Sequence, residues 1–150
     1  MVVIQVAAVV GAGLLSGVYA AFSTMVMPAL RRLDDGDATT AMIQINRTAE
    51  RGPFILIFAA AAVAATGLAA AAVPRGAIIE LVVAGASLAS TVVTMAINVP
   101  LNRRLERDGS TFWAEYSVRW TRANTVRAAF AATAVIVAGT HWAQNQTSIH

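Results

Sequence analysis

The sequence predicts an all-α integral membrane protein, a bundle of four transmembrane helices in a single domain over residues 1–150. The composition is 57% apolar and only 13% charged, whereas a soluble domain carries about a quarter charged residues. Four segments are mostly apolar over about the 20 residues that a helix needs to cross the hydrocarbon of a bilayer. The arginines, by contrast, lie mainly between these segments.

Two long polar connections and one short turn separate the four predicted spans. The spans cover residues 2–27, 54–73, 77–99 and 127–142. In the short turn Pro74 cannot continue a helix and Gly76 relieves the backbone, so the second and third spans are expected to form an antiparallel hairpin. A soluble bundle is the alternative, but the second span, FILIFAAAAVAATGLAAAAV, lacks the polar face of a soluble helix.

Basic residues set the expected orientation. The first long connection contains four arginines, the short turn one, and the second long connection at least five. Since cytoplasmic loops hold the excess of positive charge, we expect a multi-pass plasma-membrane protein with both long connections in the cytoplasm and both termini outside. The net charge is only +3, so membrane lipids, and not nucleic acid, are the expected partner of the arginines.

The first and third spans end in similar stretches, MPALRRLDDG at 27–36 and NVPLNRRLERDG at 98–109. Each contains a proline, an arginine pair and an Asp-Gly turn, and a helix is expected to start after it, at Asp37 and at Ser110 or Thr111. The similarity predicts two parallel repeats of span, cytoplasmic helix and span. The alternative is that any helix leaving a membrane tends to end in arginine.

Both long connections are expected to contain interfacial helices. Residues 37–52 place small and apolar side chains on one helical face, and a Gly-Pro pair ends that helix. Residues 110–127 carry three aromatic side chains at intervals of three and four, which is typical of a helix at a membrane boundary. Because no Gly or Pro interrupts this second helix, it is expected to run directly into the fourth span.

Gly13 and Gly17 form a GxxxG pair in the first span, which is a weak signal of close helix packing. The pair serves either packing within the bundle, the interpretation we favour, or contact in a homo-oligomer or membrane complex.

The chain has no Cys, and its two histidines, His141 and His150, lie near the C-terminus, so no metal site is expected. Glu80 is expected to cap the outer end of the third span.

Polar side chains within a bilayer are expected to point into the bundle. Asn98 and Asn102 share a face at the end of the third span, and Trp120, Asn124 and Arg127 share a face at the start of the fourth. If these ends pack together, they form a cluster of amide and guanidinium donors beside an indole. Such a cluster suits an oxyanion or a carbonyl of a flat apolar ligand, with a headgroup site and a structural lock as alternatives.

Four stretches of the chain resemble a family of small four-span membrane proteins that includes the anthrone oxygenases: GVYAAFSTMVMPAL, AMIQINR, NVPLNRRL and WTRANTVRA. The most specific parts are the motif NVPLN at 98–102 and the spacing of Trp120, Asn124 and Arg127. The resemblance implies a helical membrane bundle. For the characterised branch of the family it implies oxidation of a polyketide anthrone to an anthraquinone with O₂ and without a cofactor.

This chemistry requires an anthrone to lose a proton and form an electron-rich enolate, which donors aimed at its oxygen stabilise. No general base is evident among the candidate residues. The candidates are catalytic Asn98, Asn102, Asn124 and Arg127, and substrate-binding Tyr19, Trp120 and Arg103. The competing hypothesis is a non-catalytic accessory or scaffold protein that binds lipid or quinone, and a small transporter comes third.

Overall fold

The computed structural model describes residues 2–147, with side chains as far as Gln144. His150 and the two chain termini, which were predicted to lie outside the cell, are not among the described residues. All the described elements are helical, which confirms the all-α prediction. The α-helices are α1 (Val2–Ala21), α2 (Met27–Leu30), α3 (Asp35–Arg51), α4 (Pro53–Ala72), α5 (Ile78–Val93), α6 (Val99–Asp108) and α7 (Trp113–Thr147).

Two π-helices join α1 to α2 and α5 to α6, over Phe22–Val26 and Thr94–Asn98. Each is followed by a helix whose second residue is proline, Pro28 or Pro100. A proline ring clashes with the carbonyl group four residues earlier in an α-helix, and the wider π turn relieves that clash. The two similar sequence stretches therefore share a local structure, while the repeat itself stays a prediction.

Four long helices form the bundle. Helix α1 packs on α4, α4 on α5, α5 on α7, and α7 on α1, so the order around the bundle follows the order in the chain. The predicted hairpin is confirmed: a 3-10 turn at Val73–Arg75 and a left-handed Gly76 join α4 to α5. Much of the core away from the arginine-rich end consists of small residues: Ala8, Ala12, Ala84, Ala134 and Ala138. Small side chains let the helix backbones approach closely.

Large apolar side chains cover the outside of the bundle. Leu56, Val63, Val92 and Ile136 are each more than 60% exposed, and they lie on three different helices. A water-soluble protein does not normally expose apolar area of this extent, whereas a lipid-facing surface consists of it. The bundle therefore has the exterior of a membrane protein.

Three stretches of continuous helix, and not four, are long and apolar enough to cross a membrane: Val2–Leu30, Pro53–Arg75 and Ile78–Gln144. This count differs from the predicted four because no non-helical residue separates α5 from α7, so the predicted third and fourth spans fall in one stretch. Within that stretch the chain reverses at a 3-10 turn, Gly109–Phe112, and α7 returns along α5.

The arginine-rich connections fold together at one end of the bundle into a unit that we name the cap, made of α2, α3, α6 and the first turns of α7. Its core contains Met42, Leu105, Trp113 and Tyr116, all buried. An ion pair between Arg47 of α3 and Glu106 of α6 links two of its helices. Both long connections are thus helical, as predicted.

The ends of these cap helices differ slightly from the prediction. Helix α3 begins at Asp35 and not at Asp37, and α7 begins at Trp113, after the 3-10 turn, and not at Ser110 or Thr111. Helix α7 continues without a break into the apolar segment, which confirms that prediction. At about 1.5 Å per residue, its 35 residues are longer than a bilayer core is thick, so α7 belongs to both the cap and the bundle.

A close contact between α1 and α4 lies at Gly11. A methyl group on Gly11 would be 2.8 Å from the Cβ of Ala61. Of the predicted GxxxG pair, Gly13 faces Val135 of α7 at an ordinary distance, and Gly17 faces open space. The packing role expected of the pair therefore belongs mainly to Gly11.

We predict that Gly11→Ala destabilises the bundle, whereas Gly17→Ala in the same helix does not. The first substitution overpacks the α1–α4 contact, at about 1–3 kcal/mol, and the second gains up to about 1 kcal/mol of helix propensity. Thermal unfolding in detergent measures both. Equal melting temperatures for the two variants would contradict the close packing at Gly11.

Candidate functional site

A cavity of about 130 Å³ lies where the bundle meets the cap. Residues of α1, the two π-helices, α3, α4, α6 and α7 line it, so nearly every element contributes to its wall. The wall is mainly apolar and aromatic, with Phe22, Phe54 and Phe58 among its residues. Ile55 and Met95 at the rim are 39% and 56% exposed, and through them the cavity opens to the outside of the bundle.

Arg127 is the buried charged residue among those that line this cavity, and it is only 6% exposed. Its Nε and Nη2 donate to Oδ1 of Asn124 at 3.0 and 2.7 Å, and its Nη1 donates to Oγ1 of Thr94 at 3.2 Å. The guanidinium carbon lies 4.0 Å from the ring centre of Tyr19 and 5.3 Å from that of Trp120. Two aromatic faces and two neutral acceptors therefore surround the cation.

No carboxylate of the described residues forms an ion pair with Arg127. A buried cation without an anionic partner is costly, and several of its N–H groups remain unused because a guanidinium has more donors than the three that are engaged. The positive charge and these unused donors give the cavity a site for a negatively polarised oxygen atom.

Asn124 holds Arg127 in place. Its Oδ1 accepts both bonds from the guanidinium, and its Nδ2 donates to the carbonyl oxygen of Tyr19 and to Oγ of Ser23, each at 2.7 Å. Asn124 is fully buried and does not line the cavity. Every polar atom of its side chain is thus engaged within the protein, so Asn124 fixes the guanidinium of Arg127, and the catalytic role suggested by the sequence stays a prediction.

Four buried polar atoms on the cavity-lining residues have no hydrogen-bond partner among the described residues. They are Oη of Tyr19, Nε1 of Trp120, Oδ1 of Asn98 and Nδ2 of Asn46. Buried polar atoms are nearly always paired, and an exception calls for an explanation such as a ligand or a water molecule. Their concentration around one cavity leaves both donors and acceptors available to a polar group placed there.

Asn98 ends the second π-helix, and its Nδ2 donates to the carbonyl oxygen of Trp120 at 3.3 Å. Because a carbonyl oxygen can only accept, this bond fixes the amide so that Oδ1 is the free atom. Asn102 lies one turn further and its Oδ1 accepts a bond of 2.9 Å from the hydroxyl of Tyr116. Asn98 therefore offers an acceptor to the cavity, whereas the sequence suggested a donor.

The structure places all but one of the remaining candidate residues in the wall of the cavity. Tyr19, Asn98, Asn102, Trp120 and Arg127 all line the cavity. Arg103 does not line it, because its side chain lies on the exposed face of α6, in a shallow groove beside Glu106. The position of Arg103 directly after the motif NVPLN was therefore not enough to predict where its side chain lies.

Two residues of α3 in the cavity wall, Asn46 and Glu50, were missed by the sequence analysis. They are four residues apart and so share a helical face beside the apolar face of α3. That spacing was the available signal. It gave no indication that the face turns towards the bundle, since α3 was expected only at the membrane boundary.

The family model described as "Anthrone oxygenase" matches residues 42–137 of the chain. The chain belongs to the anthrone oxygenase family. The matched segment contains the cavity residues on α3, α4, the second π-helix, α6 and α7, whereas those on α1 and the first π-helix, including Tyr19, lie before it. Comparisons with curated proteins and with solved structures gave no match.

We predict opposite stability effects for two Tyr→Phe substitutions in this member of the family. Tyr19→Phe removes a buried hydroxyl that has no partner, so the unfolding free energy is unchanged or rises. Tyr116→Phe removes the hydroxyl that donates to Asn102, so stability falls by about 1 kcal/mol. Melting temperatures of ligand-free protein in detergent provide the comparison, and a clear loss of stability in Tyr19→Phe would contradict the unpartnered state of that hydroxyl.

Proposed function

We propose that the chain crosses the plasma membrane four times, with the cap in the cytoplasm and both termini outside. In this arrangement α1, α4, α5 and the second part of α7 are the spans. The arginines support it, because the two long connections in the cap contain most of them, and the opposite hairpin contains Arg75 alone. Such an imbalance orients membrane proteins with the basic side in the cytoplasm.

Cysteine labelling tests this orientation, because the natural chain contains no Cys. Arg75→Cys places a thiol on the α4–α5 hairpin, and Ser110→Cys places one on the exposed turn of the cap. An impermeant maleimide added to intact cells should label the first variant at once and the second only after lysis. Labelling of the Ser110→Cys variant from outside would overturn the orientation.

We propose further that the cavity binds a flat phenolic substrate of the anthrone type and oxidises it with O₂. The observation that carries this proposal is the unpaired cation of Arg127, beside the unpartnered donors of Tyr19 and Trp120, in a cavity with aromatic walls. Donors held in a water-poor site stabilise an oxygen atom on which negative charge develops. Membership of the anthrone oxygenase family supports the same chemistry.

The overall reaction balances with the substrate and O₂ alone. Loss of a proton from the anthrone CH₂ sends the C–H electron pair towards the carbonyl oxygen and gives an enolate. The ring carbon then bonds to O₂, and the resulting hydroperoxide loses water as its O–O bond breaks. One anthrone and one O₂ thus give one anthraquinone and one water.

Six of the cavity-lining residues have a place in this scheme. The unused N–H groups of Arg127, with Nε1 of Trp120 and Oη of Tyr19, donate to the enolate oxygen. Oδ1 of Asn98 accepts a hydrogen bond from a phenolic hydroxyl group on the same ring system. The apolar rim at Ile55 and Met95 lets an apolar substrate reach the cavity from the bilayer.

A second candidate function is binding of a quinone or lipid without chemistry. The opening towards the bilayer favours it, since a membrane-dissolved quinone also presents carbonyl oxygens to the donors around Arg127. The two candidates predict different outcomes in an oxygen-uptake experiment.

Oxygen uptake by purified protein with an anthrone is the decisive measurement. We expect consumption of one O₂ for each anthraquinone formed, and a fall in kcat/KM on the order of 10²–10³-fold in Arg127→Gln. Arg122→Gln is the matched control, because Arg122 is an exposed arginine of α7 that does not line the cavity, and the activity of this variant should equal that of the natural protein. Tyr19→Phe, which should fold normally, should lose about tenfold through one missing hydrogen bond.

Two results would reject oxygenase activity. One is equal turnover in Arg127→Gln and in the natural protein. The other is tight binding of a quinone without any oxygen uptake in the presence of anthrone, which would instead support the accessory role.

A further inference from the structure

The proposed reaction begins with removal of a proton from carbon, and a group near the cavity must accept that proton. Asparagine amides and an indole are not bases at neutral pH, and the side chains of Tyr19 and Arg127 carry their protons. The chain has no Lys and no Cys, and His141 lies at the opposite end of the bundle, near Gln5 and Glu80. The residues named so far therefore bind an enolate but do not generate it.

Glu50 is the one carboxylate among the described residues that line the cavity. It lies in the last turn of α3, next to the corner at which Gly52 leads into α4, and Asn46 lies on the same face one turn earlier. The cavity wall thus combines donors from α1 and α7 with a single anionic acceptor from α3.

Glu50 has no ion pair or hydrogen bond among the described residues, although two arginines lie close to it in sequence. Arg47 instead donates from Nε to Oε1 of Glu106 on α6, at 2.6 Å. This cross-helix pair engages Arg47, which lines the neighbouring groove together with Glu50 and Arg103. The side chain of Glu50 is exposed as well as cavity-lining, so a proton that it accepts has a direct route to water.

We propose that Glu50 is the general base that removes the proton from the substrate carbon; the inference rests on the proposed function. The carboxylate takes the proton while the C–H electron pair moves to the oxygen held by Arg127. It then gives this proton to the peroxide formed with O₂. A second C–H proton returns to Glu50 as the O–O bond breaks, and that proton and the departing hydroxide leave as water.

Hydrogen–deuterium exchange at the CH₂ group of the substrate, measured in the absence of O₂, tests proton removal separately from the oxidation. Purified protein in detergent is incubated anaerobically with an anthrone in D₂O, and NMR follows the loss of the CH₂ signal. A general base contributes on the order of 10²–10⁴-fold, so Glu50→Gln should slow the enzyme-dependent exchange by at least about 10²-fold. Glu50→Asp, which keeps the carboxylate, should restore part of the rate.

Glu115→Gln is the matched control, because Glu115 is an exposed carboxylate of the cap that pairs with Arg119 and Arg104 and does not line the cavity. Its exchange rate should equal that of the natural protein. Binding of the anthrone, followed by quenching of tryptophan fluorescence, should be similar in all four proteins, since Glu50 acts on the proton and not on the affinity.

The possible results separate the two proposals. Exchange by the natural protein that is slowed in Glu50→Gln, without any oxygen uptake, would support Glu50 as the base and reject the oxidation. Equal exchange in Glu50→Gln and the natural protein would reject Glu50 as the base, while normal oxygen uptake would keep the proposed function. Loss of anthrone binding in Glu50→Gln would make Glu50 a binding residue and reject the base, and absence of both exchange and uptake in the natural protein would reject both proposals.

Discussion

The burial of one cation, Arg127, is the constraint on which the rest of this structure depends. Its charge is balanced by dipoles and aromatic faces and not by a carboxylate of the described chain. Such an arrangement is stable only if each acceptor is correctly placed, because a buried charge that loses its partners destabilises a fold by several kcal/mol. Asn124 and Thr94 fix the guanidinium, and Asn124 is itself held by the backbone of Tyr19. A structural requirement and the candidate binding site thus share the same residues.

The two π-helices make this arrangement possible. Each adds a wide turn just before a proline, where the bundle passes into the cap. The second of them brings Thr94 and Asn98 to the cavity wall, one as an acceptor for Arg127 and the other with a free oxygen. Wide turns of this kind are frequent at functional sites in helices. The prolines that end the apolar runs in the sequence therefore determine which side chains the cavity receives.

Much of the fold could be predicted because periodicity and charge act locally. Trp120 and Arg127 lie on one helix at a fixed spacing, so their shared face followed from the sequence, as did that of Asn98 and Asn102. Their meeting depended only on the antiparallel return of the chain. Arg103 and Glu50 could not be placed in this way, because their surroundings depend on how the cap helices pack on the bundle. The number of helical stretches could not be predicted from the sequence either, because a π turn and a 3-10 turn keep α5, α6 and α7 continuous.

The hydrogen bonds of Asn124 and Arg127 also join distant parts of the chain, since Asn124 contacts the backbone of Tyr19 and Arg127 contacts Thr94. During synthesis α1, α4 and α5 leave the ribosome before α7 exists. Until α7 is added, the first three helices therefore form a bundle with one side missing. When α7 packs against these helices, it completes the bundle and brings the positive charge of Arg127 into the interior in a single step. Assembly of the bundle and creation of its polar centre are consequently the same event.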